Sequence, residues 1–182
     1  MPVSDPLQIR HHPADRAATL ANQLVGIHLD ARADLLHQPF YSAERFAERL
    51  REHLTDPNFE LVTGDVGGVM VGYAYGGSLP ADTWWWSHLE GVTDPELAQE
   101  TGSRTFWLRE LLVRRTYQRK GYAHRLHDEL LAGRPEERAA LFVRVDNPAR
   151  RLYRRWGWVS VGYLPPQEDS PRFDAMLLSL TC

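Results

Sequence analysis

The spacing of apolar positions changes along the chain, and each change marks an element. LQIR (7–10) reads as a short strand. From about Asp15 to Asp34 the period is helical, with Leu20, Leu24, Ile27 and Ala31 on one stripe. Ser42 can cap a second helix running to about Leu54, with Phe46 and Leu50 inward. Glu44 in its first turn suits the positive end of the helix dipole. After the turn Asp56-Pro57-Asn58, FELVTGD (59–65) and GVMVGYAYGG (68–77) form a hairpin joined at Asp65–Gly68. A long polar connection, 78–103, holds three consecutive tryptophans. TFWLRELLV (105–113) is apolar on both faces apart from Arg109 and Glu110, as expected of a strand covered on both sides. A helix from about Gly121 to Ala132 turns Leu126, Leu130 and Leu131 inward, and ALFVRV (140–145) is another buried strand. NPARRLYRRW (147–156) is a short helix with Pro148 in its first turn and Gly157 as its stop. WVSVGYL (158–164) and FDAMLLSL (173–180) close the chain as two antiparallel strands.

The order β-α-α-β-β-β-α-β-α-β-β predicts a mixed sheet with helices packed on it, an α/β or α+β sandwich. A length of 182 residues suits a single domain, 1–182, and 43% apolar with 25% charged residues excludes general disorder or a fibre. The net charge of −3 conceals an uneven distribution. Residues 104–155 hold 13 Arg and Lys120 against six acids, a balance of +8, and the remainder carries −11. A basic middle in a near-neutral chain favours an anionic ligand there. The one cysteine, Cys182, excludes an intrachain disulfide. The N-terminal stretch lacks the apolar core of a signal peptide, and no apolar run approaches the roughly 18 residues of a membrane span. The expected location is cytoplasmic.

The most informative segment is the buried strand ending at Val113, the loop RRTYQRKGYA and the helix behind it. Gly121 stands where loop becomes helix, and a helix N-terminus presents unpaired N–H groups and a positive dipole end to an anion. Arg114, Arg115, Arg119 and Lys120 surround that point in sequence, so the chemistry indicated is pyrophosphate binding. Neither GxxxxGK[ST] nor GxGxxG is present. Gln118-Arg119-Lys120-Gly121-Tyr122-Ala123 instead resembles the Q/R-x-x-G-x-G/A signature of the GNAT N-acetyltransferase superfamily, after a strand reading Glu110-Leu111-Leu112-Val113. Further on, Asn147-Pro148-Ala149-Arg150-Arg151-Leu152-Tyr153 and the following Gly157-Trp158 resemble the family's second signature, and the likeness is close over roughly 105–164. The chain departs from the pattern at Arg119, often glycine, at Arg115, often proline, and in Asn147 lying two residues before Ala149 rather than three.

The resemblance implies a mixed, mostly antiparallel sheet of about six or seven strands flanked by helices and splayed at an acetyl-CoA site. It implies an acceptor-side half at about 1–104 and an acetyl-CoA half at about 105–182. Leu111, Leu112 and Val113 would pair with the pantetheine arm like an added strand. Gln118, Arg119, Lys120, Gly121, Tyr122 and Ala123 would cradle the pyrophosphate, and Asn147 would lie near the thioester end. Tyr153 matches the tyrosine that protonates the departing thiolate, and Glu110 the carboxylate that deprotonates the amine. A carboxylate in an apolar strand is costly to bury without a partner or a task, and the structural alternative for Glu110 is an ion pair with an arginine such as Arg109 or Arg144. The implied co-substrate is acetyl-CoA, with no metal, no nucleic acid, no membrane, and a monomer or homodimer as the assembly.

Trp84, Trp85 and Trp86 either wall an acceptor pocket or pack the long loop onto the body; three adjacent aromatics cannot share one face of a strand. His124 and His127, at i and i+3, face similar directions without an evident third ligand. The leading expectation is acetyl transfer to the primary amine of a small molecule. The alternatives are a protein or peptide N-acetyltransferase, a non-catalytic acyl-CoA sensor of the same fold, and a nucleic-acid module using the basic segment, for which no binding motif is present.

Overall fold

A computed structural model describes residues 6–181, so Cys182 and the first five residues of the N-terminal stretch lie outside the described residues. The strands are β1 (Gln8–Pro13), β2 (Glu60–Val66), β3 (Val69–Ser78), β4 (Thr105–Val113), β5 (Arg138–Arg144), β6 (Val159–Leu164) and β7 (Phe173–Ser179). The helices are α1 (Ala14–Thr19), α2 (Ala21–Ala31), α3 (Ala43–His53), α4 (Tyr122–Leu131) and α5 (Ala149–Arg155). One mixed, mostly antiparallel sheet of seven strands takes the order β1-β2-β3-β4-β5-β7-β6. The expected fold class is the one observed. No helix among the described residues is long and apolar enough to cross a membrane.

The chain divides into two compact units. Met1–Gly77 joins Arg109–Ala132, and Ser78–Leu108 joins Gly133–Cys182, because β4 contributes to both. In the first unit, α1–α3 cover one face of the sheet. Leu24, Ile27, Phe46 and Leu50 pack there with Leu61, Tyr73, Tyr75 and Leu112. Ser42 caps α3 as its sequence indicates, its Oγ accepting from the N–H of Arg45 at 3.2 Å. The expected single helix over 15–34 is broken at Leu20, whose N–H bonds back to Ala17 at 3.0 Å, while the Thr19 hydroxyl donates to the Arg16 carbonyl. A threonine that bonds into the preceding turn competes with the helical ladder.

The opposite face of this unit seats α4. Gly64 and Gly72 face each other across the β2–β3 ladder. A Cβ on Gly72 would meet the Leu112 carbonyl at 2.8 Å and Leu126 of α4 at 3.1 Å, and one on Gly64 would meet Leu7 at 2.9 Å and Leu126 at 3.3 Å. Glycine is required here for close approach, while at Gly67 and Gly68 a positive φ makes the hairpin turn. On the same unit, His11 bridges Glu60 of β2 and Glu129 of α4, at 2.8 Å to each.

In the second unit β4 and β5 run parallel, with Thr105, Phe106 and Trp107 registered against Arg138, Ala139 and Ala140. β7 is antiparallel to both β5 and β6. Buried charge in this unit is paired. Glu100 accepts from Trp86, Thr105 and Arg138, and Glu136 accepts from Ser78 and Arg134.

Gly72→Ala should lower the unfolding free energy by about 1–3 kcal/mol through overpacking. Gly26→Ala, inside α2 with nothing within 4 Å of the added methyl, should raise it by about 0.5–1 kcal/mol. Urea midpoints for the two variants should therefore move in opposite directions.

Candidate active site

The loop before α4 has the backbone geometry of an anion cradle. Gly121, the N-cap, has φ 78°, and Arg119 adopts φ 62°, a left-handed conformation unusual for a side-chain-bearing residue. These turns leave the N–H groups of Arg119 through Ala123 without a protein acceptor among the described residues. The space in front of Gly121 is open: a Cβ there would meet nothing within 4 Å. Successive free N–H groups at a helix N-terminus are an anion site in waiting. Gln118 holds the loop to the strand, its Nε2 donating to the Val113 carbonyl at 3.0 Å. Arg114 donates to the Met70 carbonyl at 3.0 Å. Arg115 pairs with Asp34, and its N–H donates to Asp30. These two arginines therefore brace the loop, leaving Arg119 and Lys120 as its exposed cations with no ion pair among the described residues, Lys120 Nζ lying 5.1 Å from the centre of the Tyr117 ring.

Glu110, three residues before the end of β4, is mostly buried, and its ion partner is neither Arg109 nor Arg144. Arg32, at the C-terminal end of α2, approaches its Oε1 at 3.5 Å. Arg109 pairs with Asp56 at 2.9 Å and Arg144 with Asp146. Burial first, then the Glu110 charge, pushes the phenols of Tyr73 and Tyr75 up, so both keep their protons. Burial holds His28 below the usual histidine range, against an opposing bond to the Tyr41 carbonyl. In this group Tyr73 Oη, His28 Nδ1 and Arg32 Nε are buried polar atoms with no hydrogen-bond partner among the described residues. Interiors seldom leave such atoms unsatisfied. None of His28, Arg32 or Tyr73 stands out in the sequence, since each lies in an ordinary helix or strand pattern; a polar residue on an otherwise apolar face was the available signal.

The remaining expected residues lie in the second unit. Tyr153 of α5 packs edge-on against Trp156 and Trp158, with ring centroids at 5.5 and 6.0 Å. Asn147 has a structural task, its Oδ1 accepting from the N–H of Ala149 at 2.9 Å as α5 begins. The tryptophans divide. Trp85 is fully buried and stacks on Phe142 at 4.5 Å, and Trp86 is buried with its indole N–H bonded to Glu100. For these two the packing alternative is the observed one, because the face of β5 and β7 offers Ala140, Ala175 and Leu177 as a floor for large rings. Trp84 alone is exposed, at 47%.

The sequence matches the family model of the acetyltransferase (GNAT) family over residues 28–158, and the chain belongs to that family. It is an acyltransferase. Solved structures of the same fold include Ard1 from Thermoplasma volcanium, 18% identical, with a TM-score of 0.64 over 97% of this chain and 99% of that one. The paia N-acetyltransferase from Thermoplasma acidophilum, in complex with coenzyme A, is 10% identical, with a TM-score of 0.59 over 96% and 99%. An aminoglycoside 6'-acetyltransferase type Ii is 16% identical, with a TM-score of 0.63 over 96% and 98%. No curated protein sequence matches the chain.

Behind this site His53 bonds the Tyr75 hydroxyl at 3.2 Å, and burial, then Arg109 and Arg49, push its imidazole down to about 3. The unfolded chain protonates this histidine below about pH 6.5, while the folded chain resists until about 3. His53 therefore draws stability away as pH falls from 6.5 towards 3. The drop in urea midpoint between pH 7 and pH 4.5 should be smaller for His53→Gln than for the parent. Equal drops would place the loss elsewhere.

Proposed function

We propose that the chain transfers the acetyl group of acetyl-CoA to the primary amine of a small polar acceptor by direct attack. The run of free N–H groups from Arg119 to Ala123, facing open space at Gly121, is the observation that carries this reading. It offers the pyrophosphate backbone donors, with Arg119 and Lys120 adding charge. Arg119 contributes here through its backbone as well as its side chain, so its replacement of a common glycine is compatible with binding. Leu111, Leu112 and Val113 serve as the edge for the pantetheine arm. The registered ladder of β4 with β5 at Thr105–Trp107 ends before them. Asn147 retains its amide N–H groups as donors.

In the transfer the amine must reach its neutral form, its nitrogen bonds to the thioester carbonyl carbon, and the carbon–sulfur bond breaks. Glu110 takes the ammonium proton, Tyr153 gives its proton to the leaving thiolate, and the proton that nitrogen sheds as the amide forms returns to the Tyr153 phenolate. A phenol suits that second role because it stays protonated at neutral pH. The unsatisfied Tyr73, His28 and Arg32 atoms near Glu110 in the chain's first unit support a polar acceptor. The peptide-acceptor reading gains from the burial of Trp85 and Trp86, which leaves Trp84 as the exposed aromatic of that loop.

Acetyl-CoA should raise the melting temperature, and an acetyl-pantetheine lacking the pyrophosphate should do so far less. Equal shifts, or none, would remove the loop from the reading. Tyr153→Phe should lower kcat at least tenfold with little change in acetyl-CoA affinity. Glu110→Gln should cost most at low pH, where fewer amines are already neutral, and a pH-independent ratio would return Glu110 to a structural role. A thiol-release screen over small amines and peptide N-termini separates the two acceptor classes, and silence with both would favour a non-catalytic sensor.

A further inference from the structure

Outside the proposed transfer machinery, α4 carries a second chemical cluster. His124, His127 and Asp128 fall at i, i+3 and i+4, so all three lie on one side of the helix, His127 buried and the other two exposed. Each offers one ligand atom, and the three atoms lie within 4.8 Å of one another. The His124 Nε2 to Asp128 Oδ1 distance is 3.4 Å, and the His127 Nδ1 to Asp128 Oδ1 distance is 2.8 Å. The third ligand that the two histidines lacked in the sequence is therefore the residue after His127.

We propose that His124, His127 and Asp128 form a binding site for a divalent transition-metal cation of the zinc class. Bonds of about 2.0–2.1 Å to nitrogen and oxygen in a tetrahedron place ligand atoms about 3.3 Å apart. The His124–Asp128 separation of 3.4 Å stands close to that edge, and the 2.8 Å His127–Asp128 contact is a hydrogen bond that the cation would replace as the exposed Asp128 carboxylate turns towards it. Two imidazoles and one carboxylate select zinc, cobalt or nickel over calcium or magnesium, which prefer all-oxygen shells. His127 is buried while Asp128 and His124 are exposed, so one ligand is held rigidly and the others close from solvent. Three protein ligands leave a fourth position for water. The ligands converge only while this part of α4 is helical, so the cation acts as a staple across its first two turns. The helix begins at the anion loop, and His124 lies three residues past Gly121.

The test uses tag-free, chelator-treated protein and cobalt(II) as a spectroscopic probe, with zinc competition. One equivalent of cobalt should develop the visible absorption of a low-coordinate site, zinc should remove it, and zinc alone should raise the melting temperature. His124→Ala and Asp128→Asn, both surface changes, should each weaken binding at least tenfold with the circular dichroism of the fold unchanged. His88→Ala, an exposed histidine elsewhere, should bind as the parent does. Absence of the cobalt signal, or equal binding by parent and the two site variants, overturns the proposal.

Discussion

The close approach of α4 to the β2–β3 hairpin is the constraint on which the functional geometry rests. Two glycines opposite each other remove the methyl groups that would otherwise lift Leu126 off the sheet. Van der Waals contact falls off steeply with separation, so a helix seated this closely is fixed in height and tilt. Height and tilt decide where the N–H groups of Arg119–Ala123 are aimed. The loop's other end is tied by Gln118 to Val113 and by Arg115 to Asp30 and Asp34. The position of the proposed cradle is thus an outcome of packing: its donors are held in place by an apolar contact one and a half turns away.

The basic segment behaves differently in three dimensions than along the chain. Its arginines are largely occupied: Arg104 with Glu137, Arg109 with Asp56, Arg134 with Glu136, Arg138 with Glu100 and Arg150 with Asp174. Arg138 also reaches Thr105 and the Leu97 carbonyl, so its guanidinium is satisfied on several sides. A planar cation with five donors is suited to such multiple roles. What reaches solvent beside the loop is a much smaller charge than +8, concentrated at Arg119 and Lys120. The acids of the remainder are matched in part by the same pairs, since Asp56, Glu100 and Asp174 each take one of these arginines.

Local order was legible because local rules set it. β4 occupies the stretch TFWLRELLV, Ser42 caps α3, Gly157 ends α5 with φ 94°, and the hairpin turns at Gly67-Gly68. The loop signature was legible for the same reason, since its glycine, its neighbours and its helix are contiguous. Partnerships across the chain were not. Arg32 lies 78 residues from Glu110, and periodicity says nothing about which arginine a carboxylate will meet. The three tryptophans were ambiguous because their fate depends on a floor of small residues in β5 and β7. The break at Leu20 carries no proline or glycine, and its marks are the Leu20 N–H turned back to Ala17 and the Thr19 hydroxyl bonded to the Arg16 carbonyl. Asp128 carries no signal in the sequence, because an acid on a helix face is common, and its meaning lies in two distances.

The division of the chain into units has a consequence for synthesis. The polypeptide passes from one unit to the other at Gly77–Ser78, Leu108–Arg109 and Ala132–Gly133. A ribosome delivers residues in order, and domains fold as units when their segments become available. The first unit is complete when Ala132 has emerged, before β5, β7 or β6 exists. Until then the tryptophan-bearing segment waits with its apolar rings in solvent, because Phe142, Ala175 and Leu177 have yet to be made. Glu100, Trp86 and Arg138 must find one another late, because Arg138 is made only after the first unit's last segment. Vectorial emergence therefore gives the two units different exposure to aggregation, and the later one bears the larger share.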